Sequence, residues 1–446
     1  MRIFFKTILL LFIASAACAQ KPNIVFIFAD DWGYGDLGCH GSTFCKTPNL
    51  DKMVDEGIDF QNFSVSNPVC SPSRTAVMTG HFPARHHVHG HFATVQSHVK
   101  RNMPDWLDPK APLLTKMLKN AGYATGHFGK WHLTNTPVPD APSPTEYGID
   151  EFGAFNWSGE QMNVEHTIPL TLDFIRKHKD QPFYINVWMH DTHTPHYPKE
   201  KYLKRFKHLG EQQQVYAAVV AEADEKIGKI FSLLKELNLD EKTIVVFSSD
   251  NGPEITGSRK IIKDASTGPG LGTYYSVGET AGLKGRKRSL FAGGVRVPCV
   301  VRWPGVAAPG KVDQQSKLVA VDLLPTFMEL AGAKLPKGYR PDGESFVKAI
   351  KTGDFNRSKP IFWEWRFWKE KEGFWANLGV QDGDWKLLLN EKLNRAELYN
   401  ISRDLKEQQD VAKDNPQITA RLKKKVLAWK KSLPTEVPDC YSKERR

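Results

Sequence analysis

The chain has 446 residues, 40% hydrophobic and 25% charged, with a net charge of +11. That length allows one large domain plus a smaller one, and the composition is that of a soluble globular protein, which excludes a disordered chain. The basic excess is concentrated in residues 417–446, which hold nine basic and three acidic residues; no nucleic-acid-binding motif accompanies it, so it reads as a solvated helix face.

The first segment, "MRIFFKTILLLFIASAACAQ", carries Arg2 and Lys6, an apolar run, and the small residues Ala17-Cys18-Ala19. This is the pattern of a secretory signal peptide over 1–19, and it predicts a secreted or periplasmic protein. A lipid anchor through Cys18 is the alternative, though Ser15 fits that pattern poorly. No apolar run along the chain is long enough to predict a transmembrane segment. Export would permit disulfides, and Cys39 and Cys45 are close enough in sequence to pair.

Four apolar segments then run into polar residues: "NIVFIFADD" (23–31), "YATGHFGKWH" (123–132), "FYINVWMHDTH" (183–193) and "TIVVFSSDNG" (243–252). Between them lie helical patterns such as "LLTKMLKNAG" (113–122) and "VVAEADEKIGKIFSLLKEL" (219–237). Alternation of this kind predicts an α/β fold built on a large, mostly parallel sheet, with ligands at the carboxyl ends of the strands. From about residue 340 the texture changes. "PIFWEWRFW", "ANLGVQD", "WKLLLN" and "AELYN" read as short antiparallel strands around Asp382-Gly383-Asp384, followed by a helix over about 416–432. The expected division is a catalytic domain over 20–340 and a C-terminal α+β subdomain over 341–446.

The strand ends carry the chemistry. Asp30-Asp31 closes the first strand and Asp250-Asn251 the last, giving three carboxylates and an amide oxygen, a hard oxygen set suited to Ca²⁺ or, second, Mg²⁺. Adjacent like charges there need a cation or a basic group to answer them. In "VCSPSRTAVMTG", Pro72 and Ser73 suit a first helical turn. Cys70 then sits at a helix N-terminus, where backbone N–H groups favour an anion, with the forked cation Arg74 four residues on.

The motifs "ADDWGYGDLGCHG", "CSPSRTAVMTG", "GKWH", "HDTHTPH", "SSDNG" and "GRKRSLFAGGVRVP" follow one another in that order. Together they resemble the type I sulfatases of the alkaline-phosphatase-like superfamily, from about Lys21 to Gly343. The resemblance implies that a maturation enzyme reads the Cys-x-Pro-Ser-Arg signature and converts Cys70 to Cα-formylglycine, whose hydrate attacks sulfur and later expels sulfate as the aldehyde re-forms. It implies Asp30, Asp31, Asp250, Asn251 and the modified Cys70 as ligands of Ca²⁺, and Arg74 as the residue stabilising nucleophile and metal. It further implies Lys130 and Lys287 as sulfate-binding lysines, His132 as the base for elimination and His193 as the acid for the leaving alcohol. Lys287 is chosen over Lys284 because it lies six residues before Gly293.

Two departures stand out: Ala292 where many relatives carry glutamate, and Arg288 where glycine is common. "HFPARHHVHGHF" holds five histidines that could shape a pocket or lie on a surface loop, without metal-ligand spacing. The implied function is a sulfuric ester hydrolase acting on a sulfated oligo- or polysaccharide. The rivals are a phosphodiesterase or phosphonate monoester hydrolase, and a silent binder of sulfated glycans. "FWEWRFWKEKEGFW" offers aromatic faces for sugars and an arginine for acidic groups, although most of these positions read as the core of alternating strands.

Overall fold

Seven consecutive residues, Asn23–Ala29, are buried on both faces and form β1, the middle of an eight-stranded sheet. The computed structural model describes residues 21–256, 261–262, 272–273, 276–353 and 355–445; the signal-peptide reading, with Cys18, lies outside them. The other strands are β2 (Ile58–Phe60), β3 (Ala124–Lys130), β4 (Glu151–Phe155), β5 (Phe183–Trp188), β6 (Thr243–Ser249), β7 (Cys299–Arg302) and β8 (Lys311–Asp313), in the order β8-β2-β7-β6-β1-β5-β3-β4. Strands β6, β1, β5, β3 and β4 run parallel, and β7 is antiparallel to both its neighbours.

Alternation along β1 divides the core between two layers. Val25 and Ile27 pack with Ile185, Val187, Val245 and Phe247 under helices Pro48–Asp55 (α1), Thr167–Lys177 (α4) and Glu211–Glu236 (α5). Ile24, Phe26 and Phe28 face helices Cys70–Thr79 (α2), Leu114–Asn120 (α3) and Leu323–Leu330 (α6). A sheet covered on both faces needs apolar residues at every position, which is why these strands read as unbroken runs.

The C-terminal part forms a four-stranded antiparallel sheet, β9 (Ile361–Glu364), β10 (Leu378–Asp382), β11 (Trp385–Asn390) and β12 (Arg395–Asn400), carrying helix Pro416–Lys431 (α7). Its Trp363, Trp365 and Trp375 are buried, while Phe367 and Phe374 stay half-exposed. These residues continue the apolar layer that begins at Phe26 and Phe327. Cys39 and Cys45 are both free thiols, the first exposed and the second buried.

Candidate active site

Register assembles the site. Ala29 pairs with Ser249, so Asp30-Asp31 and Asp250-Asn251 leave the sheet side by side. Ile27 pairs with Val187 on the other flank, which brings His190 alongside Asp30. Gly129 pairs with Trp188, which places Lys130 next. All four segments end at the same edge, the carboxyl edge of the parallel strands.

Asp30, Asp31, Asp250, Asn251 and Arg74 are inaccessible to solvent. Asp30 Oδ2 accepts from Lys130 Nζ at 2.6 Å and from His190 Nδ1 at 2.5 Å. Lys287 Nζ lies 2.6 Å from the Asp31 carboxylate. Arg74 donates to Asp250 Oδ2 at 2.6 Å and to the Lys130 carbonyl at 3.2 Å. Its guanidinium also lies over the Trp188 ring, 4.9 Å from the centroid. Asn251 Nδ2 donates to Asp31 Oδ1 at 2.7 Å, and the Asp31 N–H to Asp250 Oδ1 at 3.2 Å. Asp31 takes a left-handed backbone, φ 62°, which turns its carboxylate back into the cluster.

The charges push one another apart. Burial alone would raise Asp30, but His193, Lys130 and His190 hold it well below the usual carboxylate range. Burial and then the neighbouring Asp30 push Asp250 up to about 7 against the pull of Arg74. Asp31 is likewise raised, chiefly by burial, despite Lys287. Lys287 is raised in turn: burial works to lower it, and Asp31 with Cys70 and Asp30 outweighs that. Two oxygens inside the cluster, Asp30 Oδ1 and Asn251 Oδ1, are buried with no hydrogen-bond partner. Three carboxylates with buried oxygens to spare fit a hard cation bound by oxygen.

Cys70 is the first residue of α2 and is 4% exposed. Its sulfur and one oxygen each from Asp30 and Asp250 lie within 4.8 Å of one another. Burial, with the two aspartates adding to it, raises the thiol above its ordinary value although Lys130 pulls the other way. A reactive thiolate is therefore not what this environment favours.

The histidines divide by their free nitrogens. His132 Nε2 lies 3.0 Å from the Phe92 carbonyl, so it carries the proton and donates. Nδ1 is left as a buried lone pair without a partner. Burial, then Lys130, pushes His132 well below its usual value and keeps it neutral. His193 Nδ1 donates to the Thr194 carbonyl at 2.5 Å, which leaves Nε2 3.8 Å from Asp31. His190 and His193 are stacked with centroids 4.6 Å apart.

Of the two lysines weighed in the sequence, Lys287 reaches the carboxylates. Lys284 turns to Glu372, Glu397 and Tyr399 on the C-terminal sheet. His190 and Thr192, whose hydroxyl donates to the Asp30 carbonyl at 2.6 Å, belong to the cluster but were not singled out from the sequence. Their presence in "HDTHTPH" after a strand was the available signal. Glu407 was also missed: its carboxylate accepts the Ala292 N–H at 2.7 Å and Lys386 Nζ at 2.6 Å, so an acid from the C-terminal part meets the position where Ala292 departs from relatives. The five histidines of 81–92 scatter: His89 pairs with Glu364 at 2.6 Å, His81 bonds His86, and His91 is exposed beside His132. Among the described residues, none of the five joins a group able to hold a metal ion.

A buried acid cluster, ringed by cations and faced by a helix-terminal cysteine, defines a hydrolase of anionic esters. The sequence matches the family model described as Sulfatase over residues 22–333, and that described as N-sulphoglucosamine sulphohydrolase, C-terminal, over 284–432. It is 32% identical over 391 residues to the N-acetylgalactosamine-6-sulfatase of Rattus norvegicus, covering 78% of this chain and 69% of that protein. It is 25% identical over 501 residues to the N-acetylgalactosamine-6-O-sulfatase of Bacteroides thetaiotaomicron, covering 91% and 92%. The crystal structure of Ps i-CgsB with k-i-k-neocarrahexaose matches with a TM-score of 0.76 at 26% identity over 95% of both chains. The chain belongs to the sulfatase family and is a sulfuric ester hydrolase.

Proposed function

We propose that this sulfatase releases sulfate from a sulfated carbohydrate, with a Cα-formylglycine made from Cys70 by a maturation enzyme as its nucleophile. The observation that carries the reading is the placement of Cys70 beside Asp30 and Asp250, in a pocket that disfavours a thiolate. The relatives support the substrate class: two are named for N-acetylgalactosamine sulfates, and one structure holds a neocarrahexaose. Residues 20–340 serve as the catalytic domain and 341–446 as the subdomain walling one side of the site. The protein is exported, to the periplasm or outside the cell, by a signal peptide over 1–19.

Asp30, Asp31, Asp250, Asn251 and the modified Cys70 hold a Ca²⁺ ion, with Mg²⁺ as second choice. When bound, the ion supplies positive charge that offsets the carboxylates and polarises oxygen. Arg74 fixes Asp250 and the end of β3 at once, which holds the carboxylates in place. Lys130 and Lys287 present ammonium groups to the sulfate oxygens, where negative charge builds during transfer. His193 offers Nε2 to the leaving alcohol, and an arriving anion raises its affinity for the proton it must give. His132, neutral with a bare Nδ1, takes the proton whose removal lets the nucleophile eliminate sulfate.

The test is sulfate release from a panel of sulfated oligosaccharides by the wild type and by Cys70→Ser. The wild type is expected to turn over. Cys70→Ser is expected to stall after at most one transfer, because an ordinary ester cannot eliminate. Multiple turnovers by that variant would refute the formylglycine nucleophile.

A further inference from the structure

Beyond Lys287 the cation lining does not stop. A cavity of about 120 Å³ opens on the far side of this lysine, walled by Arg286, Arg288, Lys369, Lys371, Phe367 and Phe374. Among the described residues the only acid in its wall is Glu254, which is paired with Arg288. Arg286, Lys369 and Lys371 have no carboxylate within ion-pair distance among the described residues, and both lysines are exposed. A wall with three unanswered cations and two half-buried aromatic rings is an unusual surface for a chain to maintain without an anionic occupant.

Arg288 adds a second, independent observation. It adopts φ 72°, in the left-handed region where a side chain is disfavoured and glycine is favoured. The strain is held from both sides: the Arg288 N–H donates to the Pro68 carbonyl at 2.9 Å, and the Lys287 N–H to the Pro253 carbonyl at 3.2 Å. The guanidinium nevertheless remains 46% exposed at the cavity. A strained, glycine-like position filled by an exposed arginine beside a sulfate-handling lysine points to a role for the side chain rather than the backbone. The opposite wall is shaped by the short turn 369–374, closed by the Lys371 N–H on the Lys369 carbonyl and the Phe374 N–H on the Lys371 carbonyl. It brings Phe374 under Arg286, 5.6 Å from guanidinium carbon to ring centroid. Phe367 is fixed by Arg101, whose guanidinium lies 5.0 Å from its centroid, and by Gly90, where a Cβ would strike the ring at 2.6 Å.

We infer that this cavity is a second anion subsite, in which Arg288, Lys369 and Lys371 bind an acidic group on the sugar next to the one that loses sulfate, with Phe367 and Phe374 packing against the sugar ring. The inference rests on the carbohydrate reading above. The shared chemistry is a planar or tetrahedral oxyanion, either a carboxylate or a second sulfate, on a substrate of at least two sugars. Arginine forks match such groups with paired hydrogen bonds, and ring faces stack on sugars. The subsite makes the enzyme selective for polyanionic chains over singly sulfated sugars.

The experiment uses the full-length Cys70→Ala protein, which binds without turning over, and three sulfated disaccharides. Their second sugar is neutral, carboxylated or sulfated. Affinities are measured by calorimetry at low and high salt. One or both acidic disaccharides should bind at least about tenfold more tightly than the neutral one at low salt, with the advantage shrinking as salt rises. Which arm gains identifies the acidic group. In Arg288→Gly, a change that also relieves the backbone, and separately in Lys371→Ala, the advantage should fall below about threefold. Equal affinities in the parent, or an advantage that survives both substitutions, overturns the subsite. Sulfate release from the neutral disaccharide by the wild type is scored separately, so failure of the carbohydrate reading and failure of the subsite give different results.

Discussion

Lys287 and Lys284 are three residues apart yet live in different electrostatic worlds. The first is 4% exposed with its ammonium on Asp31. The second is spent on Glu372, Glu397 and the Phe291 ring, 4.4 Å away. A buried ammonium at the point where sulfate charge develops is worth about 10²–10³ in rate, and a lysine engaged elsewhere little. Lys287→Ala should therefore lower kcat/KM about a hundredfold or more, with Lys284→Ala staying within about tenfold. Measuring both on one aryl sulfate decides it, and a reversed ranking would reassign the loop. The choice of Lys287 could be made before the fold was known because the family resemblance ties it to Gly293 by a local count. The bond of His190 to Asp30, 160 residues away, could not be read in this way: its place after a strand in "HDTHTPH" marks it as near a strand end but does not name its partner. Glu407 was hidden for the same reason, 115 residues from Ala292.

At the scale of elements, the strands were readable because a doubly covered sheet demands unbroken apolar runs, and all four predicted segments lie in its centre. The start of α5 was not: the helix begins at Glu211, eight residues before the segment read as helical at 219, since Glu211–Gln214 are polar and show no periodicity while Val215–Ala218 carry the buried face further back than that segment. Nor does one sequence state strand order, which is set by pairing across long separations. A single glycine shows how tightly pairing controls the site. Gly129 sits just before Lys130 with φ 117°, and a Cβ there would lie 2.0 Å from the Trp188 carbonyl oxygen. That neighbour is backbone of the adjacent strand and cannot swing away. Gly129→Ala should cost about 3 kcal/mol of stability and shift Lys130 away from Asp30. A denaturant midpoint unchanged from wild type would show that β3 and β5 separate more easily than this register implies.

The molecule as a whole concentrates its instability at one place. The apolar layer beneath α2 extends from the large sheet into the C-terminal sheet, and the strain at its edge is the mutual repulsion of Asp30, Asp31 and Asp250. Burial, and then Asp30, push the Asp250 carboxyl up to about 7 in the folded protein from an ordinary value of 3.8. Between about pH 4 and 7 the unfolded chain then gives up a proton that the folded chain keeps, so the contribution of Asp250 to stability falls as pH rises through that window and levels off above it. Asp31, also raised, adds to the same slope. A cation bound by these oxygens, Ca²⁺ in the function proposed above, would hold these groups ionised and remove the penalty, and at a hundredfold excess over its dissociation constant it would add about 3 kcal/mol. Buried neutral histidines such as His132 and His193 act with the opposite sign below about pH 6.5, where the unfolded chain charges them. The carboxylate contribution is therefore read from the Ca²⁺-induced gain in melting temperature and not from the chelator-treated protein's own pH profile. Added Ca²⁺ should raise the melting temperature of chelator-treated protein more at about pH 7.5 than at about pH 5, because at the higher pH the carboxylates it meets are already ionised. A chelator without effect at the higher pH, or a Ca²⁺ gain that shrinks as pH rises, would mean that Arg74, Lys130 and Lys287 alone balance the cluster and that the oxygen set holds no ion.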